Sequence, residues 1–126
     1  MKTLFTLLTL SFIALSLTQS ATAQAISDHR VWIDTQQQND LLTIRGKFTN
    51  DSPQDAHFRY ELVTTKQGKS GSASSTQAGS FEAPAQTEVS LSNVSINITT
   101  KDTYVIELKI FRGDTVYLED KIEYQG

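Results

Sequence analysis

The side chains able to do chemistry in this sequence are few and poorly spaced for it. His29 and His57 are the two histidines in 126 residues. Neither stands at a metal-ligand spacing from the other or from a nearby carboxylate, so both read as solvent-exposed strand or turn residues. Cysteine is absent, which removes thiol nucleophiles, Cys-ligated zinc and thiol redox chemistry together. Serine is plentiful, but no G-x-S-x-G elbow occurs, and Gly68, Gly71 and Gly79 do not form a phosphate-cradling motif ahead of a helix. Glu119 and Asp120 are adjacent on an alternating run and point to opposite faces, so they cannot work as a general acid/base pair. The expectation is a protein that is not an enzyme and needs neither metal nor cofactor.

What remains is a surface. Arg45 and Lys47 project from the same exposed strand face, Arg59 lies on the outer face of the next run, and Lys109 is similarly placed further on. Basic stripes of this kind can engage acidic or polar extended peptides; charges scattered over strand positions also simply solvate the sheet and discourage edge pairing. A general nucleic-acid binder is disfavoured. Removing Lys2 with the leader described next leaves ten basic side chains against 14 acidic ones, the wrong sign for phosphate neutralisation.

The first 23 residues have the three parts of an export signal in order. Lys2 gives the positive start, Leu4 to Leu17 an apolar run, and Ala21-Thr22-Ala23 an A-x-A cleavage site before Gln24. The run is short for a bilayer span, and no later segment approaches that length, so the mature protein is expected to be exported and soluble, with no membrane insertion. Residues 24–126 have the size of one small domain. With no disulfide available, a hydrophobic core must stabilise it alone.

The elements that position the basic residues are strands, because apolar side chains recur with period two and no stretch keeps a helical period. Val31 and Ile33 alternate in the first run. Leu42, Ile44 and Phe48 share one face of the second, with Thr43, Arg45, Lys47 and Thr49 on the other; Gly46 marks a bulge or a close packing contact. Asn50-Asp51-Ser52-Pro53 is a turn. Phe58, Tyr60 and Leu62 oppose His57, Arg59 and Glu61. Thr64 to Ser80 is polar and low in complexity, and reads as an edge strand with a mobile approach. Val89 and Leu91 differ in parity from Val94, Ile96 and Ile98, which predicts a bulge near Ser92-Asn93. Tyr104, Ile106, Leu108 and Ile110 face one way, Arg112-Gly113-Asp114 turns, and Val116, Leu118 and Ile122 face the core on return. About seven antiparallel strands in some 100 residues predict an all-β, immunoglobulin-like sandwich. Tyr104 suits a tyrosine corner and core packing alike.

Two motif matches lose their force in this context. Arg112-Gly113-Asp114 matches a cell-adhesion tripeptide, but Gly-Asp between alternating apolar runs is what a tight hairpin requires. Asn93-Val94-Ser95 and Asn97-Ile98-Thr99 satisfy a glycosylation pattern that is common by chance.

The run Asn50 to Ala56, the strand Phe58 to Val63, the Ser/Gly segment Gly68 to Gly79 leading into Ser80-Phe81-Glu82-Ala83-Pro84, and the closing hairpin together resemble the curli assembly proteins of the CsgH type, relatives of CsgC. The resemblance spans most of residues 26 to 124. It implies a periplasmic immunoglobulin-like domain that keeps the secreted curli subunit from forming amyloid before export. The CsgC branch carries a Cys-x-Cys pair; this chain has no cysteine, so no redox role carries over. The implied partner is the curli major subunit, bound transiently in an unfolded or early-aggregating form by a monomer. Arg45, Lys47 and Arg59 are the client-binding candidates, chosen for a client rich in Gln, Asn and acidic positions. A structural or adhesive accessory domain of a secreted fibre is the alternative.

Overall fold

The computed structural model describes residues 28–69 and 71–126. The expected export signal, residues 1–23, lies outside the described residues. Seven strands follow in chain order: β1 (His29–Gln38), β2 (Leu41–Asn50), β3 (Ala56–Gly68), β4 (Gly71–Ala83), β5 (Thr87–Asn97), β6 (Thr103–Arg112) and β7 (Thr115–Gln125). They form a three-stranded sheet ordered β1-β2-β5 and a four-stranded sheet ordered β4-β3-β6-β7. Every pairing is antiparallel. The expected all-β sandwich of immunoglobulin-like type is therefore the observed fold, with no helix among the described residues.

Period-two alternation builds the core. Leu42, Ile44 and Phe48 of β2 are fully buried, as are Ile106, Leu108 and Ile110 of β6. Leu62 of β3 joins Leu42, Ile44, Tyr104, Ile106 and Leu108 in the larger cluster. Phe48, Phe58, Ala83 and Ile110 form a second cluster toward one end, where the rings of Phe48, Phe58 and Phe81 lie 5.2–6.0 Å apart and Tyr117 stacks on Phe58 at 5.4 Å. Aromatic rings give large apolar burial with favoured edge-on and offset geometries.

Gly46 answers both readings of its position. A Cβ there would meet Ser92 Oγ at 3.0 Å and Leu108 Cδ2 at 3.2 Å, so the close approach at this point leaves a larger residue room only if those side chains shift. The β2–β5 register also shifts between Gly46 and Lys47, where Ser92 and Ser90 are the successive partners. Leu91 is thus the extra residue, and the bulge sits one to two positions before the expected Ser92-Asn93.

A second shift, between Ile110 and Phe111, leaves Tyr117 as the extra residue of β7, because Leu118 and Val116 pair with those two positions. This overturns the expected inward placing of Val116, which is 43% exposed. The bulge turns Tyr117 onto the aromatic cluster instead, while Leu118 and Ile122 pack inward as expected. The Arg112-Gly113-Asp114 segment is the hairpin turn, with Gly113 at φ 62°. Arg112 is held over the Tyr117 ring at 4.1 Å and over Phe58 at 5.7 Å, so the tripeptide is fixed by packing.

The polar run Thr64 to Ser80 is divided between two paired strands. Thr64 to Gly68 finish β3 and Gly71 to Ser80 lie in β4, with unbroken pairing from Ala56 opposite Ala83 to Gly68 opposite Gly71. The approach is itself strand. Tyr104 serves both suggested roles: it is 1% exposed, and its hydroxyl accepts the Thr99 N–H at 2.8 Å, completing a tyrosine corner.

Asn50 ties the turn after β2 to the opposite sheet. Its Nδ2 donates to the carbonyls of Gln54 and Ala83, each at 2.8 Å, and its Oδ1 accepts the Ser52 N–H at 2.9 Å. Asn50→Ala leaves those carbonyls and that N–H without their partner, and a loss of about 1–3 kcal/mol is expected. Leu108→Ala should cost about 2–5 kcal/mol through transfer and cavity terms, whereas Val116→Ala should stay within about 0.5 kcal/mol. Urea unfolding of the three variants separates these outcomes.

Candidate functional site

The alternation that buries Leu42, Ile44 and Phe48 sends Thr43, Arg45, Lys47 and Thr49 to the outer face of the three-stranded sheet. Since β2 is the central strand there, each of them has a neighbour on both sides. Arg45 lies opposite Asp34 of β1 and Asn93 of β5; Lys47 lies opposite Trp32 and Ser90. Arg30 shares the face and carries its guanidinium carbon 5.6 Å from the centre of the Trp32 ring, within reach of a cation–π attraction. Thr43 and Ser95 add hydroxyls 3.3 Å apart. Asp34, together with Glu88 opposite Thr49, supplies the acids of this face.

The outer face of the three-stranded sheet is thus a shallow cationic surface around a half-buried indole. Among the described residues none of Arg30, Arg45 and Lys47 has a carboxylate within 4 Å, so their hydrogen-bond donors stay available to a partner. Arg30 and Trp32 were not among the sequence-based candidates. Their signal was present: both have the parity opposite to Val31 and Ile33, and antiparallel pairing of two consecutive runs places them beside Lys47 and Thr49.

Arg59 is not part of this surface. It lies on the outer face of the four-stranded sheet, with its guanidinium carbon 4.4 Å from the Phe111 ring centre, on the far side of the sandwich from Arg45 and Lys47. Nor is there a basic stripe around it. Lys109 lies opposite Glu61 of β3 and Glu119 of β7, and Glu107 lies opposite Lys121. Acids and bases alternate there in register, which gives a mixed, solvating face. The sequence placed these residues correctly outward, but two sheets have two outsides.

His29 also departs from expectation. It shares the inward parity of Val31 and Ile33, stacks on Phe48 at 5.6 Å, meets Phe58 and Tyr117 edge-on, and has Nδ1 2.8 Å from the Tyr117 hydroxyl. It is a half-buried part of the aromatic end, bridging β1 to β7. His57 is exposed, as expected. Among the described residues no group of three His, Asp or Glu is placed to hold a metal ion, and no helix is long and apolar enough to cross a membrane.

The described residues thus form an immunoglobulin-like sandwich whose polar groups are spread over the strand faces. The family described as thin aggregative fimbriae synthesis protein, Tafi-CsgC, matches residues 21–122, and the chain belongs to that family. The curli assembly protein CsgC of Escherichia coli (strain K12) is 25% identical over 92 residues, covering 73% of this chain and 82% of that protein. Among solved structures, E. coli curli protein CsgC superposes with a TM-score of 0.60 at 24% identity, covering 76% of this chain and 97% of that one. The solution structure of R. palustris CsgH gives 0.58 at 22% identity, covering 75% and 91%. Both have the same fold as this chain.

Because Arg45 and Lys47 rest on no ion pair, replacing them costs little. Arg45→Glu and Lys47→Glu should each change stability by no more than about 0.5 kcal/mol. Tyr117→Phe, which removes the hydroxyl partner of His29, should cost about 0.5–1.5 kcal/mol. Denaturant melts of the three variants test whether the cationic face is independent of the aromatic end.

Proposed function

We propose that this chain acts in curli biogenesis as a periplasmic, chaperone-like inhibitor of amyloid formation by the curli major subunit, binding the unfolded or early-aggregating subunit transiently. Membership of the curli assembly family supports the biological role. The observation that carries the contact is the outer face of the three-stranded sheet, where Arg30, Arg45 and Lys47 surround Trp32 without carboxylate partners. Such a face offers charge-assisted donors to acidic and amide side chains and a flat aromatic surface to extended backbone. The work is binding rather than catalysis and uses no ATP or cofactor.

Amyloid grows by adding flat strands to exposed edges, so nucleation can be delayed by occupying a minor population of early conformers. The inhibitor then acts below the subunit concentration. A one-to-one sequestering partner needs near-equal amounts. Exposed contacts of this kind are also screened, over about 10 Å at 0.1 M ionic strength.

Thioflavin fluorescence during assembly of purified curli subunit tests the reading. A tenth of an equivalent of the wild-type protein should lengthen the lag several-fold, and raising the salt should shorten it again. The pair Arg45→Glu and Lys47→Glu should remove most of that extension, while Arg59→Glu, on the opposite side of the sandwich, should leave most of it. Equal loss in both would place the contact elsewhere. No extension by the wild-type protein at any ratio would remove the inhibitor reading, and stable incorporation of the protein into isolated fibres would favour the accessory-domain alternative.

A further inference from the structure

The two sheets have four edge strands, and three of them are blunted. In β1 the Ile33 N–H is capped by Asp120 Oδ2 at 2.9 Å, and the His29–Tyr117 contact holds the same seam. The strand β7 carries Glu119, Asp120, Lys121 and Glu123 along its length. In β5 the Leu91 bulge interrupts the edge. Charges, bulges and side-chain caps are the usual means of keeping a sheet edge from pairing with another chain.

The fourth edge, β4, has none of them before Glu82. It is the outermost strand of its sheet and thirteen residues long. From Gly71 to Ser80 it holds no charged residue and no proline, and its pairing to β3 has no register shift. Gly71 to Ala78 are exposed. Among the described residues no hydrogen bond outside the β3 ladder engages Gly71 to Glu82. Its outward-pointing backbone donors and acceptors therefore stand open along a neutral strand without a bulge.

Beside this edge the sandwich gapes. Where β4 faces β5 a groove of about 160 Å³ lies between Ala73 and Ser75 on one wall and Ile96 on the other, with Thr64 and Tyr104 beneath and Lys66 at the rim. A strand added to β4 would continue the sheet, and its inward side chains would fall over this opening.

From these observations we infer that the β4 edge is a docking site for an extended, low-charge polypeptide strand of small polar residues, which adds to the four-stranded sheet by backbone pairing and seats one apolar or aromatic side chain in the groove beside Ile96 and Tyr104. The inference rests on the client-binding reading above and names the kind of client segment. A neutral edge without gatekeeping charges is matched to a segment that likewise lacks them, while the cationic face on the three-stranded sheet serves encounter. The two surfaces separate in their salt dependence, since backbone pairing and groove filling are insensitive to screening.

The test uses full-length mature protein and purified curli subunit freshly removed from denaturant. Ser75→Lys with Gln77→Lys places two charges on the inward side of β4; Ser74→Lys with Ala78→Lys places them on the outward side, Ala78 lying opposite Glu61, and serves if the first variant unfolds. At salt high enough to screen the cationic face, wild type should retain part of its lag extension and a correctly folded β4 variant should lose at least threefold of it. With half an equivalent of subunit, the amide resonances of Ala73 to Gly79 should lose at least half their intensity while those of β7 keep theirs. Equal lag extension by wild type and variant, with broadening confined to Arg30, Arg45 and Lys47, would overturn the edge site and leave the inhibitor reading standing. Absence of any extension by wild type would overturn both. A wild-type dimer in sedimentation that the β4 variant dissolves would show the occupant to be a second copy of this chain and would likewise overturn the assignment.

Discussion

Strand β2 packs against β6 through side chains that recur every second residue, and the rest of the molecule follows from that contact. Leu42, Ile44 and Phe48 meet Tyr104, Ile106, Leu108 and Ile110, each at most 1% exposed. Burying side chains of this size is worth about 1.5–3 kcal/mol apiece, and in a chain without cysteine no cross-link shares the task. Gly46 belongs to the same contact. By carrying no Cβ it lets Leu108 pack directly over the β2 backbone. A one-residue slip of β2 would turn Leu42, Ile44 and Phe48 outward and bury Arg45 and Lys47. The core therefore fixes which residues form the outer face, and it does so without any contact from that face.

The two bulges then adjust what strict alternation cannot. A regular β7 would carry Val116 inward and Tyr117 outward. The extra residue at Tyr117 reverses this locally, giving the aromatic end a ring for His29, Phe58 and Arg112 to pack on. The extra residue at Leu91 reconciles the inward Val89 with the inward Val94 and Ile96 on the other side of it. Each bulge lies on a strand at the edge of its sheet, where a lost ladder bond costs least and added twist discourages pairing with other chains.

Much of this was legible because it depends on period two. The parity of Leu42, Ile44 and Phe48, of Phe58, Tyr60 and Leu62, and of Tyr104 to Ile110 gave the strands, their inward faces and the outward placing of Arg45, Lys47 and Arg59. What parity cannot supply is which strand joins which sheet. Arg45 and Arg59 look alike along the chain, yet β2 and β3 belong to different layers, and their outward faces point in opposite directions. Register across strands is equally silent in sequence, so the carboxylates facing Lys109 and the indole facing Lys47 emerged only with the pairing. His29 was misplaced for a simpler reason. Histidine was weighed as a metal ligand or a surface residue, whereas its parity with Val31 put it among aromatic rings, where an imidazole packs as one more flat ring with a polar tip.

The uneven treatment of the four edges bears on how tightly a client can be held. Pairing about five backbone hydrogen bonds at a net of about 1 kcal/mol each yields some 5 kcal/mol, while ordering about five residues of a disordered client costs roughly 1–2 kcal/mol per residue. Backbone pairing to β4 alone therefore does not hold a strand. One apolar side chain in the groove between β4 and β5 adds about 1.5–3 kcal/mol, which brings the balance near zero and makes the complex short-lived. A tight edge would template further strands on the captured one, since the new outer edge is as open as β4 was. A weak one releases the segment before a second strand arrives. The neutral composition of Gly71 to Ser80 and the small size of the groove suit the brief contact proposed for this edge, and blunting of β1, β5 and β7 confines that exposure to a single strand.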